Sequence, residues 1–431
     1  MTAPLPRPVA LLTDATLPSG ERVDVAIEGP RVTRVAPAGT LRRSADAAVP
    51  SSGADGDGAD AGGVLDLEGY LLLPAAAEPH AHLDKALTFD RIRPPFGDLE
   101  TAIASFHDYA AHEDEESIAD RARRLLTRML GNGTTAVRSH VNFFPGPDPL
   151  RAARALVAVR TEFAGLLDLE LVALPGFDVP DALIEQALDL GVDLVGGAPH
   201  LAPDALADLH RLLDLAERRG AGVDLHTDEA LDGPVTLGVY AERMRDRPVS
   251  KSAGHCVRLG TLAPGDLAPV VDAVLAADIG VISLPITNLY LQGWEHPVAT
   301  PRGLTALRPL LDAGVRLGAG ADNVRDPFNP LGRGDALETA MLLVTAGHLG
   351  VDEAVALVTT GARSVLRLPD AGPRPGAQAD LLAIRADSLG EAVAFAPPDR
   401  LVLHAGQLVA ESHVTTRVAA PAAARIDQEV G

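Results

Sequence analysis

The chain has 431 residues, 47 % of them hydrophobic, enough to bury a barrel-sized core plus an accessory domain and too many for disorder to dominate. Its formal charge of −22 opposes any partner recognised by a basic surface, so neither nucleic acid nor an anionic membrane is expected. Cys256 is the only cysteine, which excludes an intrachain disulfide, and the start Met1-Thr-Ala-Pro-Leu-Pro-Arg-Pro8 has no secretory h-region; without an apolar run of spanning length, the expectation is a cytoplasmic protein.

Residues 8–40 alternate apolar and polar positions, as in Val23-Asp-Val-Ala-Ile27 and Arg31-Val-Thr-Arg-Val35, the pattern of short half-buried strands. The segment 44–63 is nearly all Ala, Gly, Asp, Ser and Pro and reads as a flexible surface loop. From 71 to 374 short apolar runs alternate with helical periodicity. The expected strands are Leu71–Pro74, Thr134–His140, Leu169–Leu174, Asp193–Gly197, Gly222–His226, Ser252–His255, Gly280–Leu284 and Arg316–Gly320. Between them the spacing predicts helices over Ser117–Leu130, Pro149–Ala164, Pro203–Arg219, Asp266–Ala277 and Leu304–Ala313, with Ala336–Leu349 and Val351–Leu366 following outside. Eight alternations suit a closed (β/α)8 TIM barrel, with a doubly wound open sheet as the alternative. Strand-like alternation returns in Ala379–Ile384 and Leu401–His404, so residues 375–431 are expected to join 1–70 in one β unit that the barrel interrupts.

Residues able to bind a metal recur where the barrel strands should end: His80, His82, His140, His200, His226, His255 and Asp322. In such barrels those ends converge on one mouth. In extended backbone His80 and His82 project to one face and can share a cation, although two solvated or capping histidines would give the same spacing. Glu78 falls in that register, and Asp84 and Lys85 follow in the loop, where they are read as holding it. Val223-Asp-Leu-His-Thr-Asp-Glu229 sets His226 at a strand end with Glu229 in the turn beyond, either a ligand beside a proton-carrying carboxylate or an acidic helix N-terminus at Asp228 and Glu229. His255 fits a pocket role or a structural one. Asp322 follows Gly318-Ala-Gly-Ala321, which lacks the Lys-Ser/Thr of a phosphate loop.

Taken in order, Pro79-His-Ala-His-Leu-Asp-Lys85, His226-Thr-Asp-Glu229, Gly254-His-Cys256, Asn288-Leu-Tyr-Leu-Gln292 and Gly320-Ala-Asp-Asn-Val-Arg-Asp-Pro-Phe-Asn-Pro330 resemble the motif series of the cytosine deaminase-like branch of the amidohydrolase superfamily. The resemblance implies a barrel with a β-sandwich domain and one divalent metal ion, zinc or iron, held by His80, His82, His226 and Asp322. It further implies Glu229, His255 and Asp322 as catalytic groups in the attack of a metal-activated water on a C–N bond of a small N-heterocycle. Substrate would be met by His140, His200, Gly176, Gln292 and Asn323. Binuclear relatives carry a carboxylated lysine at the end of the fourth strand; here the only lysines are Lys85 and Lys251, which argues for one metal. Where cytosine deaminases place a ring-reading glutamine after the third strand, this chain has Gly176, and Asn323 replaces a second carboxylate, so cytosine is not the expected substrate. The alternatives are a cyclic amide or imide hydrolase on the same scaffold and a non-catalytic metal- or ligand-binding barrel. Nothing in the sequence fixes the oligomeric state, and a homo-oligomer stays open.

Overall fold

The computed structural model describes residues 5–41 and 63–419. The expected loop at 44–63 lies, except for Gly63, outside the described residues.

Both ends of the chain contribute to a single mixed sheet. Its N-terminal strands are β1 (Arg7–Pro8), β2 (Leu11–Thr16), β3 (Arg22–Glu28), β4 (Arg31–Pro37), β5 (Val64–Asp66) and β6 (Leu71–Pro74). The eight that follow form the second sheet: β7 (Ala76–Ala81), β8 (Thr134–Asn142), β9 (Asp168–Leu174), β10 (Leu194–Gly197), β11 (Gly222–Thr227), β12 (Lys251–His255), β13 (Gly280–Ser283) and β14 (Leu317–Ala319). The last three, β15 (Leu381–Ile384), β16 (Arg400–His404) and β17 (Gln407–Ser412), return to the first sheet. Its order is β1-β17-β16-β15-β6-β2-β3-β4, with β5 beside β2. Leu12, Val25, Leu67, Leu72, Leu381 and Leu403 form its own buried core.

The apolar run Leu71–Pro74, expected as the first barrel strand, instead lies between β2 and β15 in the accessory sheet. The first barrel strand is the next segment, Ala-Ala-Glu-Pro-His-Ala, whose small and polar side chains carry little strand signal of their own. The eight strands β7 to β14 are parallel neighbours in chain order, and a parallel bridge between Ala81 and Asp322 joins the last to the first. The result is a TIM barrel.

Helices cover the barrel through their apolar stripes. In Ala205–Arg219, Leu209, Leu212, Leu213 and Ala216 are buried on one side; Asp204 caps the start through the Ala207 N–H, and Gly220, at φ 61°, ends it. The expected continuous helix from Val351 to Leu366 is broken by a π turn at Leu357–Gly361. Gly361 there sits so near the strand that a Cβ would lie 2.5 Å from the Leu317 carbonyl oxygen. No helix of the described residues is long and apolar enough to cross a membrane.

Candidate active site

At the C-terminal end of β7, His80 and His82 point to the same side of the strand, as their spacing predicts. The Nε2 atom of His226, from β11, lies 3.2 Å from Nε2 of both. Asp322, just beyond β14, brings Oδ1 to 3.1 Å from His82 Nε2 and 3.7 Å from His80 Nε2. All four residues are buried, and burial, reinforced by neighbouring histidines and Lys85, drives the three imidazoles well below their ordinary pKa and hence neutral. Both Asp322 oxygens are buried without a hydrogen bond. Three neutral ring nitrogens converging with one carboxylate is a donor set that fits a divalent cation. Across the barrel, β12 is cut away to make room: a Cβ on Gly254 would lie 2.6 Å from His80 Cε1.

His140, on β8, joins this cluster with its ring 4.0 Å from that of His80 and 4.6 Å from that of His226. One of its nitrogens lies within 4.8 Å of the ligand atoms of His80, His82 and His226, so His140 borders the group that could hold a metal ion.

Opposite stands Glu229. Its two readings divide between adjacent residues. Asp228, at φ 50°, accepts the N–H groups of Thr236 and Leu237 and so caps the helix Leu237–Met244, while Glu229 turns inward and is buried. Its Oε1 lies 3.4 Å from His255 Nδ1 and its Oε2 3.6 Å from His200 Nε2. Burial pushes the Glu229 carboxyl up, but His255, His200 and Lys85 together outweigh this and leave it below its usual range. Burial brings His255 down to about 4, and Asn288 Nδ2 donates to His255 Nδ1 at 3.1 Å. His255 and Asp322 hold left-handed backbone, φ 67° and 61°, costly for residues with a Cβ and common where side chains are aimed at a site.

The remaining expected substrate contacts scatter. Gln292 Nε2 donates to the Glu229 carbonyl at 2.8 Å and thereby fixes the turn that carries Glu229. Asn323 donates to Asp326 Oδ2 at 2.7 Å and accepts from Asn329 within the loop after β14. Gly176 lies on the exposed turn after β9, backed by Asp178.

The sequence reading placed Glu78 only in the register of the two histidines, and it did not single out Arg138. Glu78 is buried and accepts from the N–H groups of His80 and Ala321, at 3.1 and 2.7 Å, tying β7 to the chain beyond β14. One layer below the histidines, buried Arg138 binds Asp224 Oδ2 at 2.6 Å, Ser252 at 2.7 Å and Glu170 at 2.6 Å. A signal for this layer existed: Arg138 and Asp224 stand two residues before His140 and His226, on the same face of their strands.

Against known proteins, the sequence pattern of the amidohydrolase family matches residues 97–410. A pterin deaminase of Rhizobium rhizogenes is 32 % identical over 361 residues, covering 80 % of this chain and 82 % of that protein. An N-isopropylammelide isopropyl amidohydrolase of Pseudomonas is 25 % identical over 81 % of this chain and 88 % of its own. Among solved structures, 5-methylcytosine deaminase from Klebsiella pneumoniae liganded with phosphonocytosine superposes with a TM-score of 0.81 at 29 % identity, covering 95 % of this chain and 100 % of that one. The chain therefore belongs to the amidohydrolase family.

Proposed function

We propose that the protein is a metal-dependent aminohydrolase that replaces an exocyclic amine of a small N-heterocycle with oxygen. The observation that carries this reading is the placement of an ionised, buried Glu229 across from a His80, His82, His226 and Asp322 donor set. We assign these four as ligands of one divalent ion. The site suits zinc or iron(II) alike, and β10 offers no lysine to bridge a second ion. When bound, the ion lowers the pKa of a water molecule and orients it for attack.

Glu229 takes one water proton as the C–O bond forms and passes it to a ring nitrogen; it then takes the proton left on the new hydroxyl and gives it to the amine, which departs as the carbonyl forms and the C–N bond breaks. His255, neutral and steadied by Asn288, faces Asp322 at 3.9 Å and stabilises charge developing on the attacking oxygen. His200 and Gln292 position Glu229 from its outer side and from its backbone. A pocket wall without the ring-reading glutamine favours a ring other than cytosine, and the pterin deaminase relative supports placing bicyclic amino heterocycles first in a substrate panel. A small diffusible substrate and a buried free Cys256 suit a cytoplasmic setting.

The test is ammonia release from a panel of amino heterocycles by protein loaded with zinc or iron(II). Chelation should abolish turnover, and Glu229→Gln should lower kcat roughly 100- to 10,000-fold while leaving metal content unchanged. Turnover indifferent to either change sinks the mechanism. Ring opening without ammonia would select a cyclic amide hydrolase instead.

A further inference from the structure

The chain has two lysines, and the structure treats them differently. Lys251 spends its ammonium on two backbone carbonyls, those of Met244 and Arg247, both at 2.9 Å. Lys85, in the loop after β7, is equally buried, both lysines being 4 % exposed. Among the described residues its ammonium makes no hydrogen bond and has no carboxylate oxygen within 4.0 Å. Two phenylalanines hold it by their ring faces, Phe328 at 4.6 Å and Phe106 at 5.2 Å from the centroids.

The backbone around Lys85 is fixed from both sides. Buried Arg121 donates to the carbonyls of Asp84 and Ala86, each at 2.9 Å, and Thr88 Oγ1 donates to the Lys85 carbonyl at 2.6 Å. The Leu87 N–H reaches the Val324 carbonyl at 3.0 Å, which docks this loop on the one that carries Asp322. With its backbone held this firmly and its donors unspent on the protein, the ammonium is free to donate to an acceptor that enters the pocket. Its charge is felt by Asp322, Glu229, His82 and His226, the groups that surround the reacting centre.

Building on the aminohydrolase reading, we propose that Lys85 is a substrate-binding residue that receives an exocyclic oxygen of the heterocycle, a carbonyl or its ionised lactam form. The substrate class is thereby narrowed to amino-oxo rings. The Phe106 and Phe328 faces border the ammonium at 5.2 and 4.6 Å and narrow its approach to water, so a ring oxygen that accepts from it makes a charge-assisted hydrogen bond on the pocket side. The competing role, simple neutralisation of Asp84, Asp322 and Asp326, requires no ring oxygen.

Ring pairs that lack an amine, and so cannot be deaminated, separate the two. The zinc-loaded full chain is titrated calorimetrically with 4-pyrimidinone against pyrimidine and with 4-quinazolinone against quinazoline. In at least one pair the oxo ring should bind roughly ten- to a hundredfold more tightly, the loss expected for one charge-assisted hydrogen bond. Lys85→Met and Lys85→Gln should erase that difference without releasing zinc, measured by elemental analysis of the same samples. The proposal is overturned if no oxo ring outbinds its partner on the unsubstituted protein, an outcome that does not depend on whether the variants fold. It is equally overturned if the variants weaken both members of a pair alike. An oxo preference in a protein that never yields ammonia would defeat the aminohydrolase reading and leave Lys85's role standing; ammonia without the preference would do the reverse.

Discussion

Gly254→Ala adds one methyl group to β12 and should weaken the protein's hold on a metal ion. The new Cβ would sit 2.6 Å from Cε1 and 2.7 Å from Nδ1 of His80, a fully buried ring with the His140 ring 4.0 Å away on another side. Reaching a tolerable separation of 3.4 Å requires a shift of about 0.8 Å. Metal–ligand distances tolerate only about 0.2 Å, so the imidazole cannot retreat and still coordinate well. Disturbing the support of a ligand costs roughly 10- to 100-fold in metal affinity, and Gly254→Ala should fall in that range. Competition against a calibrated chelator measures this directly. Gly265→Ala, in a helix where a Cβ would meet nothing within 4 Å, is the matched control and should leave affinity unchanged. A Gly254→Ala protein binding zinc within twofold of the parent would refute the assignment of His80 as a ligand in the geometry described.

Arg138→Met should destabilise the fold by about 3–5 kcal/mol, because it strands Asp224 as a buried unpaired charge; denaturant unfolding would show it, and a loss under about 1 kcal/mol would mean the barrel floor tolerates that charge. In the accessory sheet, burial lowers the pKa of His404, but Asp380 at 3.2 Å prevails and raises it above 6.5. The folded state thus holds that proton more tightly than the unfolded chain, so the stabilisation is complete below about pH 6.5 and fades as pH rises through the folded value. His404→Gln should therefore lower Tm more at pH 6 than at pH 9, and an equal drop at both would contradict the pairing.

His80, His82, His226 and Asp322 could be read from the sequence because a strand end aims a side chain at the barrel mouth whatever the rest of the barrel does. The first strand could not. Leu71–Leu73 carries the stronger apolar signal, yet it belongs to the accessory sheet, while Ala76–Ala81 is lined with small residues because both of its faces are covered. The helices Leu99–Ala110, Asp181–Leu190 and Leu389–Phe395 also went unread. Glu78 illustrates the harder limit: its partner Ala321 is 243 residues away, and only closure of the barrel makes them neighbours. Lys85 illustrates another. A loop lysine ordinarily means solvent, and nothing local announces that Phe106 and Phe328 will enclose it.

The bridge between Ala81 and Asp322 and the grip of Glu78 on Ala321 lie at the seam where the first strand meets the last, and the proposed metal ligands His80, His82 and Asp322 stand on its two edges. An ion held there acts as a buckle. It binds the closed barrel and not the parted seam, so its free concentration weights the balance between them. Without the ion that stabilisation would be withdrawn from the seam, where Glu78 and the Ala81–Asp322 bridge would hold the two edges alone. The cell's supply of zinc or iron would then set how long each copy of the enzyme survives as well as how fast it works.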